Sequence, residues 1–208
     1  SNNKFETSNP AAAFRNILQG KAKRVPFTNS ELDIPALTEW YQFCEAFNQA
    51  GSGPFTFDFV YDFLGNVREQ VQIPCGASRA QRVMKNNKVS VIIDKDRSAE
   101  APKALITPAN SNGFRYRFTY TRKIHGIKAQ FVNRTEGFDV QAEMIVYADG
   151  FSKSGEVLGT VAADENQMDT VKFTGITEPK LIFVQARFLL ANRTLQPQAI
   201  DVEQDLEH

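Results

Sequence analysis

Two helix-forming segments open this chain, each with its own punctuation, and together they fix what the rest must accommodate. Asn9-Pro10-Ala11-Ala12-Ala13-Phe14-Arg15-Asn16-Ile17-Leu18 places an amide cap and a proline ahead of a Phe14/Ile17/Leu18 stripe, with Gly20 as the stop. Leu32-Asp33-Ile34-Pro35-Ala36-Leu37 runs into Trp40-Tyr41-Gln42-Phe43-Cys44-Glu45, starting at Asp33, with Pro35 in its first turn, and ending near Gly51. Leu37, Trp40, Tyr41, Cys44 and Phe47 form its apolar stripe. A helix with one narrow apolar stripe must bury it against something, and neither segment carries a group that does chemistry. The basic linker Lys21-Ala22-Lys23-Arg24 reads as a solvated turn.

The pattern then changes period. Phe55, Phe57, Phe59, Tyr61 and Phe63 alternate with Thr56, Asp58, Val60 and Asp62, which predicts a strand with one aromatic face buried. A short helix is expected over 65–73, ended by Pro74 and Gly76. Val83-Met84, an Asn86-Asn87 turn and Val89-Ser90-Val91-Ile92-Ile93 read as a hairpin. Residues 95–110, rich in charge, Ala and Pro, read as a linker. Phe114, Tyr116, Phe118 and Tyr120 alternate with Arg115, Arg117, Thr119 and Thr121, and further strands are expected at Lys128–Val132, Phe138–Tyr147, Val157–Ala162 and Thr170–Phe173. A late helix over 178–192 has Thr177 as cap and Pro179 in its first turn. It places Ile182, Phe183, Ala186, Leu189 and Leu190 on one face. Pro197 leads into a last strand through Ile200 and Val202. The expected fold class is α+β: a compact α+β subdomain over 9–98, then a mainly antiparallel β domain over 99–205 carrying the late helix.

Composition excludes several classes. With 208 residues, 42% hydrophobic and 23% charged, the chain is long enough to bury a core and too apolar for disorder. Its 24 basic and 24 acidic residues cancel, so charge makes no case for nucleic acid or an anionic membrane. No stretch approaches the roughly 18 apolar residues of a membrane helix. Two cysteines, Cys44 and Cys75, make no disulfide framework, and Cys44 on an apolar helix face reads as a buried inert thiol. Leu206-Glu207-His208 reads as the start of a purification tag, Ser1-Asn2 as a cloning remnant, and the chain as a fragment of a longer protein.

The search for chemistry comes up empty. Gly76-Ala77-Ser78-Arg79-Ala80 echoes a nucleophile elbow but has Ala in place of the last Gly, and its only base outside the tag is His125. Asp94-Lys95-Asp96-Arg97-Ser98 opens like a calcium loop, yet Ala99 stands at the sixth position and Leu105 at the twelfth. The His and Cys content is too sparse for a transition-metal site, and the Gly150–Gly159 stretch lacks a phosphate-loop lysine. Arg115 and Arg117 interleave with aromatics, but alternation puts the two sets on opposite faces, so aromatics in and arginines out is the reading. Asn133-Arg134-Thr135 and Asn192-Arg193-Thr194 match the glycosylation sequon and read as silent. No catalytic, cofactor-binding or metal-ligating residue is expected, and no cofactor.

The ordered segments resemble a known family. Asn9-Pro10-Ala11, Leu32-Asp33 through Trp40 and Cys44-Glu45, Phe55-Thr56-Phe57, and Lys85-Asn86-Asn87-Lys88-Val89-Ser90-Val91 are similar to the central region of the phage tail tip attachment (host specificity) protein J family. In the second half Gly113-Phe114-Arg115-Tyr116, Phe131-Val132-Asn133 with Gly137-Phe138, Ile145-Val146-Tyr147-Ala148-Asp149-Gly150-Phe151, Gly175-Ile176-Thr177-Glu178 and Ala186-Arg187-Phe188-Leu189-Leu190-Ala191 continue the likeness to about residue 204. Two stretches depart from the family: Pro74-Cys75-Gly76 interrupts its longer helix, and 152–167 is more polar.

The resemblance implies a structural component of a (pro)phage tail tip or baseplate hub. Such a protein is made in the bacterial cytoplasm and sits at the virion tail tip. It assembles as a homotrimer with tail tube, tape-measure and distal tail proteins, and takes part in host attachment and the DNA ejection conduit. It implies no enzyme, no direct nucleic-acid recognition and no membrane insertion by this fragment. Two other readings compete. A carbohydrate-binding β-domain recognising a cell-surface glycan would show an exposed row of aromatics. A cell-wall hydrolase would need acid/base or metal groups that the chain lacks.

Overall fold

The computed structural model describes residues 7–20, 23–62, 65–102, 105–118, 123–137, 141–195 and 198–204. Ser1-Asn2, Lys21-Ala22, Phe63, Thr119, Tyr120, Thr121, Phe138, Pro197 and 206–208 fall outside them. Helices and strands mix in an α+β arrangement with several antiparallel sheets. The chain forms two compact units, each built from three stretches: Ser1–Lys95, Lys128–Val146 and Thr170–Ala186, then Asp96–Ile127, Tyr147–Asp169 and Arg187–His208. The units interleave along the chain, in place of the single division after residue 98 that the sequence pattern predicts. Sequence-distant bonds inside the first unit account for this, including Asp58 N–H to the Gly175 carbonyl and Arg79 to Gln185.

In the first unit, α1 (Pro10–Gln19) begins where Asn9 caps it, its Oδ1 accepting from the Ala11 N–H at 2.9 Å. The same amide donates through Nδ2 to the Tyr41 carbonyl and to Glu45 Oε1, so one residue both starts α1 and ties it to the next helix. That helix, α2 (Ile34–Ala46), is capped by Asp33, whose other oxygen accepts from Ser90 Oγ at 2.8 Å. Phe14 meets Trp40 edge-on at 5.4 Å, and both rings are fully buried. The stripe of α2 is narrower than predicted: Leu37, Trp40 and Cys44 are buried, while Tyr41 is exposed.

Residues 55–62 form no strand. Phe55 and Phe57 point inward and Val60 outward, so the period-two pattern is real, but each backbone N–H finds a different partner. Phe55 donates to the Cys44 carbonyl, Phe57 to Ser8 and Asp58 to Gly175. A ladder needs one continuous neighbour, and here the neighbours are a helix end, a terminal segment and a turn.

The third helix, α3 (Val67–Ala77), passes through Pro74 and Gly76 instead of stopping there. Proline deprives the carbonyl four residues back, Gln70, of its helical donor. The Tyr61 hydroxyl supplies the replacement, donating to the Gln70 oxygen at 3.0 Å. Strands β1 (Ala80–Lys85) and β2 (Lys88–Ile93) pair antiparallel about Asn86 and Asn87, both at positive φ (49° and 59°), as a two-residue type I′ hairpin requires.

Strand β3 (Ser111–Phe118) belongs to the second unit. Strands β4 (Gly126–Val132), β5 (Gln141–Tyr147) and β8 (Met168–Lys172) form a three-stranded sheet in the order β5-β4-β8. Backbone bonds 125 to 167, 130 to 173 and 134 to 177 climb both chains together, so β8 runs parallel to β4. Between them, β6 (Phe151–Ser152) and β7 (Val161–Ala162) pair parallel, and Val157–Thr160 forms a turn instead of the expected strand.

Helix α4 (Pro179–Leu195) follows. Thr177 does not cap it: its hydroxyl donates to Asp58 Oδ2 at 2.8 Å, and the first helical bond is accepted by the Glu178 carbonyl. Leu181, Ile182, Val184, Gln185, Ala186 and Leu190 are buried, while Phe183 is exposed. The last strand, β9 (Gln198–Gln204), pairs antiparallel with β3, its one partner among the described residues.

Candidate functional site

Ser78, the centre of the nucleophile-elbow echo, is fully buried at the end of α3. Its Oγ donates to the Pro74 carbonyl at 2.9 Å and accepts from Trp40 Nε1 at 3.1 Å. Both capacities of the hydroxyl are committed to packing, and water has no route to it. His125, the base that echo would need, lies in the second unit and is engaged with Asp164. Cys44 and Cys75 are buried free thiols, each pushed up to about 12 by burial, so neither offers a thiolate near neutral pH.

The calcium-loop echo is spent on local contacts. Asp96 accepts from the Ser98 N–H, Arg97 pairs with Glu100, and Lys95 pairs with Glu39 at 2.8 Å. Among the described residues, no group of three or more His, Cys, Asp and Glu side chains could hold a metal ion. Asn133 is buried with its Oδ1 accepting from both the N–H and the hydroxyl of Thr135, so that sequon is closed on itself. Asn192 sits inside α4, where Thr194 donates to the Leu190 carbonyl.

Two surfaces remain. The first unit holds a cavity of about 620 Å³ whose walls include Phe59, Val60, Phe131 and Phe173. Asp58 and Lys172 are the charged groups lining it among the described residues, and Asp58 is already held by Thr177. Thr174 and Thr177 bring hydroxyls to the same wall, and no His or Cys lines it among the described residues.

The second surface overturns an expectation. Phe114, Tyr116 and Phe118, expected from alternation to face a core, are 64%, 46% and 62% exposed. The β3–β9 ribbon has only two strands, and no second layer covers the aromatic face among the described residues. Tyr116 stands directly opposite Ile200, itself 58% exposed, which extends the apolar row onto the second strand. Gly113, at φ +66°, lies at a bulge between Asn112 and Arg115. Arg115 faces Asp201 across the ribbon and Arg117 approaches it at 3.8 Å, so the reverse face is charged. Alternation correctly separated aromatics from arginines. It could not say that the aromatic side would be left uncovered, because that depends on how many strands join the sheet.

The tilt between rings matters for what could bind. Tyr116 and Phe118 meet edge to face at 82°, with centroids 5.0 Å apart. That geometry offers notches for apolar side chains instead of a flat shelf for a sugar ring.

No helix among the described residues is long and apolar enough to cross a membrane. No protein-family model matches the chain, and no curated protein matches it.

Proposed function

We propose that the chain is a structural assembly module of a phage tail tip, a central piece of a host-specificity-type hub that packs against other tail proteins and performs no catalysis. The observation that carries the assembly part is the exposed Phe114/Tyr116/Phe118/Ile200 row, an apolar face suited to burial against protein. The tail-tip setting rests on the ordered residues that resemble that family. The reactive side chains give support by their occupation: Ser78, Cys44 and Cys75 are committed to packing. In the virion the module would sit in a homotrimer beside tail tube and tape-measure proteins.

The test is immunogold labelling of particles from the strain carrying the gene, using an antibody raised against this chain. Label at the distal tail end is expected. Label on capsid or tube, or only on unassembled protein in the lysate, overturns the reading, as would measurable turnover of peptidoglycan.

One observation favours the alternative, a glycan-binding β-domain: the aromatics are exposed, as that reading requires. The edge-to-face rings speak against it. Micromolar binding on a glycan array, lost on Tyr116→Ala, would decide in its favour.

A further inference from the structure

His125 joins three segments of the second unit through three separate bonds. Its backbone N–H donates to the Gln167 carbonyl at 2.9 Å, and its carbonyl accepts from the Ala148 N–H at 3.0 Å. Its ring nitrogen Nδ1 accepts from the Asp164 N–H at 2.9 Å. The imidazole lies nearly flat on Phe151, centroids 4.0 Å apart and planes 20° from parallel, so the ring cannot turn without breaking the stack.

A backbone N–H can only donate. Nδ1 can therefore accept from Asp164 only while it carries no proton, which places the ring proton on Nε2. A proton on Nδ1 would set two donors against each other at hydrogen-bond distance. The bond would be replaced by repulsion, and swinging the ring away would cost the stack on Phe151.

We propose that His125 is a pH-sensitive clasp whose neutral ring holds the Asp164 amide at the head of the Asp164–Gln167 turn and lets go of that amide when Nδ1 is protonated. Imidazole is the side chain that changes charge between about pH 5 and 8. The segments packed around the ring carry Lys123 and Lys153 of one sign and Asp164 and Glu165 of the other. Two closed pairs, Asp149 with Arg187 and Asp169 with Arg193, lie on the same and adjoining segments. Lys123 reaches the Phe151 ring at 5.1 Å, so one aromatic ring contacts both the cation and the imidazole. The Asp164 carboxylate already accepts from the Asn166 N–H at 2.9 Å and gives the turn a second, pH-tolerant anchor. Protonation thus loosens one residue's amide without dismantling the whole turn.

The experiment is amide hydrogen exchange on the whole chain, read as the protection factor at Asp164 at about pH 7.5 and about pH 5. The wild type should lose roughly tenfold in protection on acidification, the loss of one specific bond. In His125→Asn the side-chain oxygen accepts at either pH, so protection should be high and unchanged. In His125→Phe it should be low at both. Equal wild-type protection at the two pH values overturns the clasp, and so does the same fall in His125→Asn. The wild-type series is decisive by itself if a variant fails to fold.

Discussion

Replacing Gly175 by alanine tests whether the turn before α4 is built around Phe57. Gly175 has φ +80°, a conformation that L residues occupy at a cost of roughly 1 kcal/mol. A Cβ there would stand 2.3 Å from Phe57 Cε2 and 2.7 Å from Cδ2, well inside contact. Phe57 is buried and has little room to withdraw, so overpacking adds about 1–3 kcal/mol. The backbone cannot turn away either: the Gly175 carbonyl accepts from Asp58 N–H at 2.9 Å, and Arg134 N–H holds the Thr177 carbonyl at 3.2 Å. The expected cost is about 3 kcal/mol in all. Gly53→Ala is the matched control, with φ +76° in the same unit and nothing within 4 Å of its added carbon, so only the backbone cost of about 1 kcal/mol applies. Trp40, the chain's single tryptophan, is fully buried in that unit and reports its unfolding by fluorescence in urea. Equal destabilisation by Gly53→Ala and Gly175→Ala would refute the steric argument. Phe57→Leu should relieve part of the Gly175→Ala cost in the double variant.

Other outcomes follow from the same contacts. Tyr61→Phe orphans the Gln70 carbonyl and should cost about 1–2 kcal/mol in urea unfolding, with most of that cost gone when Pro74→Ala restores a helical N–H to the same oxygen. The buried thiols Cys44 and Cys75 ionise near 9 when unfolded and near 12 when folded, so stability from this source is full below 9 and falls as pH rises from 9 toward 12. Alkaline urea titrations should show that fall, it should shrink in Cys44→Ala, and native-state thiol labelling should track unfolding. Replacing Phe114, Tyr116 and Phe118 together by Thr should leave urea stability within about 0.5 kcal/mol while abolishing incorporation into particles in a complementation assay. Normal incorporation would remove the ribbon from the assembly surface.

Local rules read the parts of this chain whose partners are close in sequence. The caps at Asn9 and Asp33 and the Asn86-Asn87 hairpin came out where the residues put them, because cap and turn chemistry acts over a few bonds. The stop expected at Pro74 did not occur, because Tyr61 replaces the donor that proline removes. Thr177 carries a good cap side chain, yet Asp58, 119 residues away in sequence, claims its hydroxyl. The Phe55–Tyr61 alternation set which rings go inward but not whether a strand would form, since that needs a neighbour of matching length.

The same division holds for function. Residue types and spacing alone support the expectation that the chain carries no acid/base pair, metal set or phosphate loop, and no more than that. Period two alone separated the aromatics of β3 from its arginines. What only the tertiary structure decided is that the aromatic face of β3 stays in solvent, because among the described residues β9 is the one strand that joins it. It also decided that His125, an isolated histidine in the sequence, becomes the acceptor for a backbone N–H 39 residues away. Burial and long-range hydrogen bonding are properties of the assembled chain. A side chain's chemistry is local, but whether it meets water, a ring or another backbone is not.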